Sequence, residues 1–317
     1  MPRGTGAVQP AAGSMRIGVD IGGTKTEAVA LDEHNTVLCS LRRPTDQGNS
    51  GVLRTLFDVV AELREAHVLA GYQLAAVGIG VPGAVDPATG KVSNAVNIGV
   101  AELELGALAE AGLGLKVHVE NDVNAAALGA HHLLSDRTCA DQGSSAYLNL
   151  GTGLAAGLIS NGGLVRGAAG AAGEIGHLPL GTTQEPCPCG QTGCLELIAS
   201  GSGIARQWTG AGEFPAVSLF EHALLGDPLA VAVQDRFFRG SAAAIRVLGL
   251  SVDPAVIYIG GGLNALGEPL LEGIHRELAR TAGLSPFIAG LGLGRRVRLV
   301  PPGLPIGSAG AALAATG

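Results

Sequence analysis

Two stretches of this chain are written to the same plan, and that repetition limits the folds open to it. Residues 16–38, RIGVDIGGTKTEAVALDEHNTVL, are three apolar runs of strand length separated by a Gly-Gly-Thr turn and an Asn-containing turn. Residues 144–165, SSAYLNLGTGLAAGLISNGGLV, repeat the plan with a Gly-Thr-Gly turn and then an Asn-Gly-Gly turn. Short apolar runs bounded by Gly and Asn are the mark of strands joined by hairpins. A supersecondary unit that occurs twice predicts two similarly built lobes.

The rest of the chain alternates helix and strand. Residues 51–71 carry apolar positions at helical spacing and close on Gly71. A buried strand is predicted over 74–85, a turn region over 86–94, and a strand over 116–122 that runs into a helix from Val123 to Leu134. Helices over 227–249, 267–282 and 307–315 and a strand over 255–262 follow, while GLGLG at 290–294 reads as loop. This alternation predicts an α/β fold, with helices flanking mixed sheets.

Composition removes several classes of function. With 317 residues, 47% of them hydrophobic and 15% charged, the chain can bury a large core. A net charge of -7 and 3% aromatic content leave neither the cationic surface nor the stacking platforms of a nucleic-acid binder. No apolar run approaches the ~18 residues of a membrane span. The first fourteen residues, MPRGTGAVQPAAGS, lack the apolar centre of a signal peptide and read as a floppy tail before Met15. Five cysteines, with Cys39 and Cys139 isolated and read as packing residues, do not make a secreted disulfide framework, so a soluble, cytoplasmic protein is expected.

The two Gly-Thr turns invite a phosphate reading. Glycine lets a hairpin tip bring backbone N–H groups and a Thr hydroxyl close to phosphate oxygens. The candidates are Gly22, Gly23, Thr24 and Lys25 in the first tip and Gly151, Thr152 and Gly153 in the second, clasping one nucleotide between the lobes. A plain turn explains either hairpin taken alone. Asp20, just before the first tip, is placed to hold Mg2+ through water. Gly260, Gly261 and Gly262 follow a strand and precede a helix; they either let an adenosine lie on the backbone or simply make a tight turn.

Asn121 and Asp122 end one strand and open a helix. Asp122 is either that helix's N-cap or, facing a cleft, the base that accepts a proton from an attacking hydroxyl. Near the middle of the chain, CPCGQTGC places Cys187, Cys189 and Cys194 in one loop, ten residues after His177. A Cys187–Cys189 disulfide would close a strained ring. Four soft ligands instead predict a tetrahedral Cys3His zinc site, structural because no position is left for water. Glu174 and Glu196 flank this loop, so a metal there would also fix two carboxylates and suit a polyhydroxylated ligand.

Together DIGGTK (20–25), GVPG (80–83), ENDVNAAA (120–127), LGTG (150–153), EIGH (174–177), CPCGQTGCLE (187–196) and IGGG (259–262) resemble the ROK family of bacterial sugar kinases, within the actin-like ATPase superfamily. The resemblance implies a two-lobed actin-like (ribonuclease H-like) fold, each lobe a mixed sheet with flanking helices and the ligand cleft between lobes. After a tail over 1–14, the small lobe would span 15–121 and be completed by 303–317, and the large lobe 122–302 would carry the zinc loop 177–194. It implies transfer of the ATP γ-phosphoryl group to a hexose with Asp122 as base, sugar contacts from Asn97, Asn121, Asp122, Glu174, His177 and Glu196, a structural zinc, and a homodimer or homotetramer. ENDVNAAALGA and LNLGTGLAAGLI look most like the glucokinase branch, with N-acetylmannosamine and N-acetylglucosamine kinases as alternatives. The chain departs from the family where NIGVAELEL lacks a tryptophan after Asn97 and where LELIASG replaces the more usual LEAYASG. A non-catalytic ROK sugar-sensing regulator is the rival of another class; such regulators carry a winged helix-turn-helix that fourteen residues before the first strand are too few to form.

Overall fold

The computed structural model describes residues 13–135, 143–180, 184–210 and 214–315. Cys139 and residues 1–12 of the expected tail lie outside the described residues. The chain forms two compact units, one running to His132 and resuming at Pro305, the other spanning Leu133–Leu304.

In the first unit, β1 (Gly13–Ile21), β2 (Lys25–Asp32) and β3 (Val37–Pro44) form the antiparallel meander that the sequence predicts. Asn35 supplies the left-handed φ of 64° at the second turn. Helix α1 (Gly48–Glu65) then crosses to β4 (Tyr72–Val81), which pairs parallel with β1. A three-stranded excursion, β5 (Ala84–Val85), β6 (Val92–Ala95) and β7 (Val100–Leu103), precedes α2 (Leu105–Leu113). Strand β8 (Val117–Asn121) pairs parallel with β4 and feeds α3 (Asp122–Leu134). The sheet order is β3-β2-β1-β4-β8. Ile17, Val19 and Ile21 of β1 and Val52, Leu56 and Val59 of α1 are fully buried in its core.

The second unit repeats this order. Strands β9 (Ser145–Leu150), β10 (Leu154–Ser160) and β11 (Gly163–Leu164) form the antiparallel part, and β12 (Val256–Gly260) and β13 (Val297–Leu299) add in parallel to give β11-β10-β9-β12-β13. The Asn-Gly turn before β11 uses positive φ at both Asn161 (51°) and Gly162 (73°), as a tight right-twisted hairpin requires. Leu148, Leu150, Phe237, Ile257 and Ile259 anchor its core, and the helix Pro228–Ser251 supplies the apolar stripe against it.

Three expectations need correction. The boundary between units falls after His132, not after Asn121, because α3 packs within the first unit against the helix Ile306–Ala314. Their backbones approach so closely at Gly129 and Gly310 that neither position has room for a Cβ. Strand β1 begins at Gly13, inside the expected tail. The GLGLG segment is not loop: it ends the helix Pro286–Leu291 and begins Leu293–Arg296, broken by Gly292 at φ 60°.

Candidate active site

The first unit concentrates acid beside its hairpin tip. Gly22 N–H donates to the Lys25 carbonyl (3.0 Å), closing the turn between β1 and β2. Thr45 N–H donates to the Thr24 carbonyl (3.1 Å) and Gln47 Nε2 to the Gly23 carbonyl (2.7 Å), so the tip is braced from outside. Asn97 sits in a short 3-10 turn, Val96–Ile98, with its carbonyl against Gly23, where a Cβ would lie 2.9 Å from it. Thr24, Lys25 and Asn97 are exposed. Asp20, at the end of β1, has its carboxyl pushed up to about 7, first by burial and then by the charges of Asp122 and Glu27, against a smaller opposing pull from Lys25. Gly307, in the first turn of the helix Ile306–Ala314, leaves no room for a Cβ beside that carboxylate.

Asn121, not Asp122, caps α3. Its Oδ1 accepts from Val123 N–H (3.0 Å) and Asn124 N–H (3.2 Å), and its Nδ2 donates to the Gly83 carbonyl (3.1 Å). Both residues are good cap types, and the end of β8 at Asn121 decides between them. Asp122 is thereby placed in the first helical turn, where the macrodipole favours a negative charge, with one oxygen accepting from Val123 N–H (2.9 Å). Behind it Glu120, buried at 3% exposure, accepts from Asn121 N–H and Asn124 Nδ2 (3.0 Å each) and fixes the strand-to-helix turn.

In the second unit, the tip between β9 and β10 is held by a helix start. Gly201 N–H donates to the Gly151 carbonyl (2.7 Å) and Ser202 N–H to that of Thr152 (3.1 Å), at the first turn of the helix Gly201–Gln207. Glu196 Oε2 accepts from Leu154 N–H (3.0 Å) and lies where a Cβ on Gly153 would approach to 2.6 Å. A larger residue at 153 would displace the Glu196 carboxylate from this position. A pocket of about 590 Å³ opens beside the tip, lined by Gly151, Thr152, Ser202, Phe214 and Gly262 among others. Gly260 and Gly261 do not line it. Gly260 is pressed against Tyr147, and Gly261, at φ 83°, against Asn149 and Leu150, so the tight-turn explanation accounts for both.

The cysteine loop brings its four predicted ligands together. One ligand atom each from His177, Cys187, Cys189 and Cys194 lies within 4.8 Å of all the others. The three cysteines are free thiols, and Cys189 Sγ is 3.6 Å from Cys194 Sγ. The loop is tied by Cys187 N–H to the Gln191 carbonyl (2.8 Å) and Gly190 N–H to that of Cys187 (2.9 Å). His177 Nδ1 is buried with no hydrogen-bond partner. The Gln191 backbone N–H first, then Cys187, hold the Cys189 thiol down at about 6, whereas burial first pushes Cys194 up to about 12. A thiolate, a buried thiol, another cysteine and an orphaned imidazole nitrogen form a donor set that fits a tetrahedral divalent ion. Glu174 and His177 are linked by His177 N–H to the Glu174 carbonyl (3.2 Å), and Glu196 stands two residues after Cys194.

The model of the ROK family matches residues 16–285. The chain belongs to the ROK family. It is 34% identical over 283 residues to a glucokinase of Halalkalibacterium halodurans, covering 82% of this chain and 84% of that protein. It is likewise 34% identical over 289 residues to an N-acetyl-D-glucosamine kinase of Pasteurella multocida, covering 85% and 92%. Among solved structures, the ROK family glucokinase from Streptomyces griseus in complex with glucose and AMPPNP aligns with a TM-score of 0.75 at 30% identity, over 96% of this chain and 99% of that one.

Against the ROK pattern, the unusual LELIASG segment turns inward. Leu197 packs with Cys187 and Cys194, and Ile198 is buried against Gly240, so both changes fall on packing. Sequence reading missed Glu120, Gly307 and Phe214. Glu120 stands inside ENDVNAAA and Gly307 opens a predicted helix, but only the fold brings residue 307 to Asp20.

Asp20 gives a direct test of the first unit's electrostatics. Its carboxyl is raised in the folded state, so the native protein binds an extra proton between about pH 4 and 7, and stability falls as pH rises through that window. The penalty is fully present above about pH 7 and mostly gone near pH 4, where the carboxyl is protonated in the folded chain and about half so in the unfolded one. In magnesium-free buffer, Asp20→Asn is expected to be more stable than the parent to urea at pH 8, with the gain mostly gone near pH 4. An equal effect at both pH values would contradict the raised carboxyl.

Proposed function

We propose that this ROK protein is an ATP-dependent hexose kinase that transfers the γ-phosphoryl group to glucose, forming glucose 6-phosphate. The observation that carries the reading is the acidic pair of Asp20 and Asp122 beside the braced Gly22–Thr24 tip, where one carboxylate raises the proton affinity of the other. Such a pair divides the work of phosphoryl transfer. Asp20 would hold Mg2+ through water, the ion supplying charge neutralisation on the phosphates. Asp122, kept ionised by the helix start, accepts the hydroxyl proton and orients the attacking oxygen.

The same reading gives the remaining residues their roles. Gly23, Thr24 and Lys25, with Thr152 and Gly153, would present backbone N–H groups, hydroxyls and an ammonium to the phosphates, while Gly22 and Gly151, whose N–H groups donate to the Lys25 and Gly153 carbonyls, shape the two tips. Gly262 faces the nucleoside, and the packing of Gly260 and Gly261 makes the turn that presents it. Asn97, Asn121, Glu174, His177 and Glu196 hydrogen-bond the sugar. His177, Cys187, Cys189 and Cys194 would hold a structural Zn2+ that cross-links the loop, with Nδ1 the imidazole nitrogen left for the metal and Nε2 the one left for a sugar hydroxyl. The Glu196 carboxylate, seated against Gly153 and accepting from Leu154 N–H, supports a joint role for the second tip and the sugar loop. Among the described residues no single helix is long and apolar enough to cross a membrane. A cytoplasmic location and a homodimer or homotetramer complete the proposal.

The experiment is ADP release with magnesium ATP across glucose, mannose, fructose, allose, glucosamine, N-acetylglucosamine and N-acetylmannosamine. Glucose is expected to give the highest kcat/KM. A preference for either N-acetyl sugar would reassign the acceptor, and silence across the panel from zinc-loaded, folded protein would remove the kinase.

A further inference from the structure

Among the described residues, the walls of the pocket beside the Gly151–Gly153 tip carry no carboxylate, amide, imidazole or guanidinium to read the edge of a base. Its volume of about 590 Å³ lies in the usual ~300–1,000 Å³ range of small-molecule sites. Its apolar lining includes Ala205, Phe214, Val217, Leu263 and Leu266. Among the described lining residues none carries a carboxylate, amide, imidazole or guanidinium, and the polar side chains are Thr152 and Ser202 alone. Thr152 belongs to the hairpin tip. Ser202 Oγ lies 3.0 Å from Ser200 Oγ, which itself accepts from Gly203 N–H (3.0 Å). Part of the main chain is committed as well, since Gly201 and Ser202 N–H donate to the Gly151 and Thr152 carbonyls and the Phe214 carbonyl accepts from Val217 N–H (3.0 Å).

One wall group is built for a different kind of contact. The Phe214 ring is 66% exposed and lines the pocket immediately before the Pro215 that starts the helix Pro215–Leu224. An exposed ring at a helix start is a platform on which a planar base can stack, and stacking tolerates any base because every base has a π-face. Adenine presents a donor at its 6-position and an acceptor at N1; hypoxanthine and guanine present the reverse. A site that hydrogen-bonds one pattern rejects the other by several decades, whereas an apolar site separates them weakly.

We propose that the protein takes purine nucleoside triphosphates as a class, holding the base by stacking on Phe214 and leaving its hydrogen-bonding edge unread. This rests on the kinase reading above and names the donor class of that reaction.

The test is kcat/KM for ATP, ITP, GTP and UTP at saturating glucose, with calorimetric binding of AMP-PNP and GMP-PNP in the absence of sugar. ITP and GTP are expected within about tenfold of ATP, and UTP lower by about tenfold or more because a single ring stacks over less area. Phe214→Ala should raise KM for ATP and ITP alike by about tenfold with kcat and the glucose KM unchanged, and Phe214→Tyr should restore both. Because the ring is mostly exposed, its removal leaves the core intact. Normal turnover with ATP but a preference above about a hundredfold over ITP and GTP would overturn the proposal and leave the kinase standing. An unchanged KM in Phe214→Ala would also overturn it. Failure of both analogues to bind would remove the kinase reading and this proposal with it.

Discussion

Asp122→Ala is expected to lower kcat by about 10²–10⁴-fold, the usual worth of a positioned general base, while glucose still binds. The structure makes this substitution cleaner than the sequence suggests. The α3 cap belongs to Asn121, whose Oδ1 takes both Val123 and Asn124 N–H groups, so the helix start survives loss of the Asp122 carboxylate. Removing that charge also relieves Asp20, whose carboxyl should titrate closer to its ordinary range. Steady-state kinetics with calorimetric glucose binding separates the outcomes. A fall in kcat with detectable sugar binding supports the base, near-normal turnover sinks it, and loss of binding alone would make Asp122 a sugar contact.

The second large effect is expected at the cysteine loop. Cys187→Ser should abolish zinc binding, lower the melting temperature and weaken glucose binding together. Among the described residues, Cys187 and Cys194 are buried in a small cluster with Leu197, so the loop has little apolar packing of its own to hold it. Without a metal, the unpartnered His177 Nδ1 remains buried, a cost to the folded state. Glu196 follows Cys194 directly through Leu195, and Leu195 N–H pairs with the Leu178 carbonyl (3.0 Å), so loosening the loop moves the carboxylate that holds Leu154. Zinc content by atomic absorption, thermal melting and glucose titration measure the three quantities. A metal-free variant with intact glucose affinity would show that the loop does not build the sugar site.

What the sequence made legible was local in character. The two meanders were readable because strand length, turn glycines and the Asn-Gly signal all lie within about twenty residues. The cysteine loop was readable because ligand type and spacing carry the chemistry whatever the surrounding fold. The cap of α3 was misplaced because Asn121 and Asp122 are equally good cap residues and only the strand end distinguishes them. Gly260 and Gly261 illustrate a different limit: glycine is demanded both by a close ligand and by a close side chain, and here Tyr147 and Asn149 make the demand. The pocket was invisible because residues near 151, 202, 214 and 262 meet only in three dimensions, and Phe214 lies in no periodic segment. Gly307 against Asp20 is the extreme case, a contact between opposite ends of the sequence.

That last contact bears on how the protein is made. The helix Ile306–Ala314 seats directly on β1 and β4 at Gly18 and Gly78, where no Cβ fits, and the buried Arg16 guanidinium donates to the Ala312 carbonyl (3.4 Å). As the chain leaves the ribosome, one face of the first sheet therefore stays uncovered until the segment from Pro305 emerges, although every strand of that sheet was synthesised long before. The unit Leu133–Leu304, continuous in sequence, meets no such delay. The order of birth and the order of completion are reversed, and a nascent chain interrupted short of Pro305 exposes an apolar sheet face to chaperones and proteases.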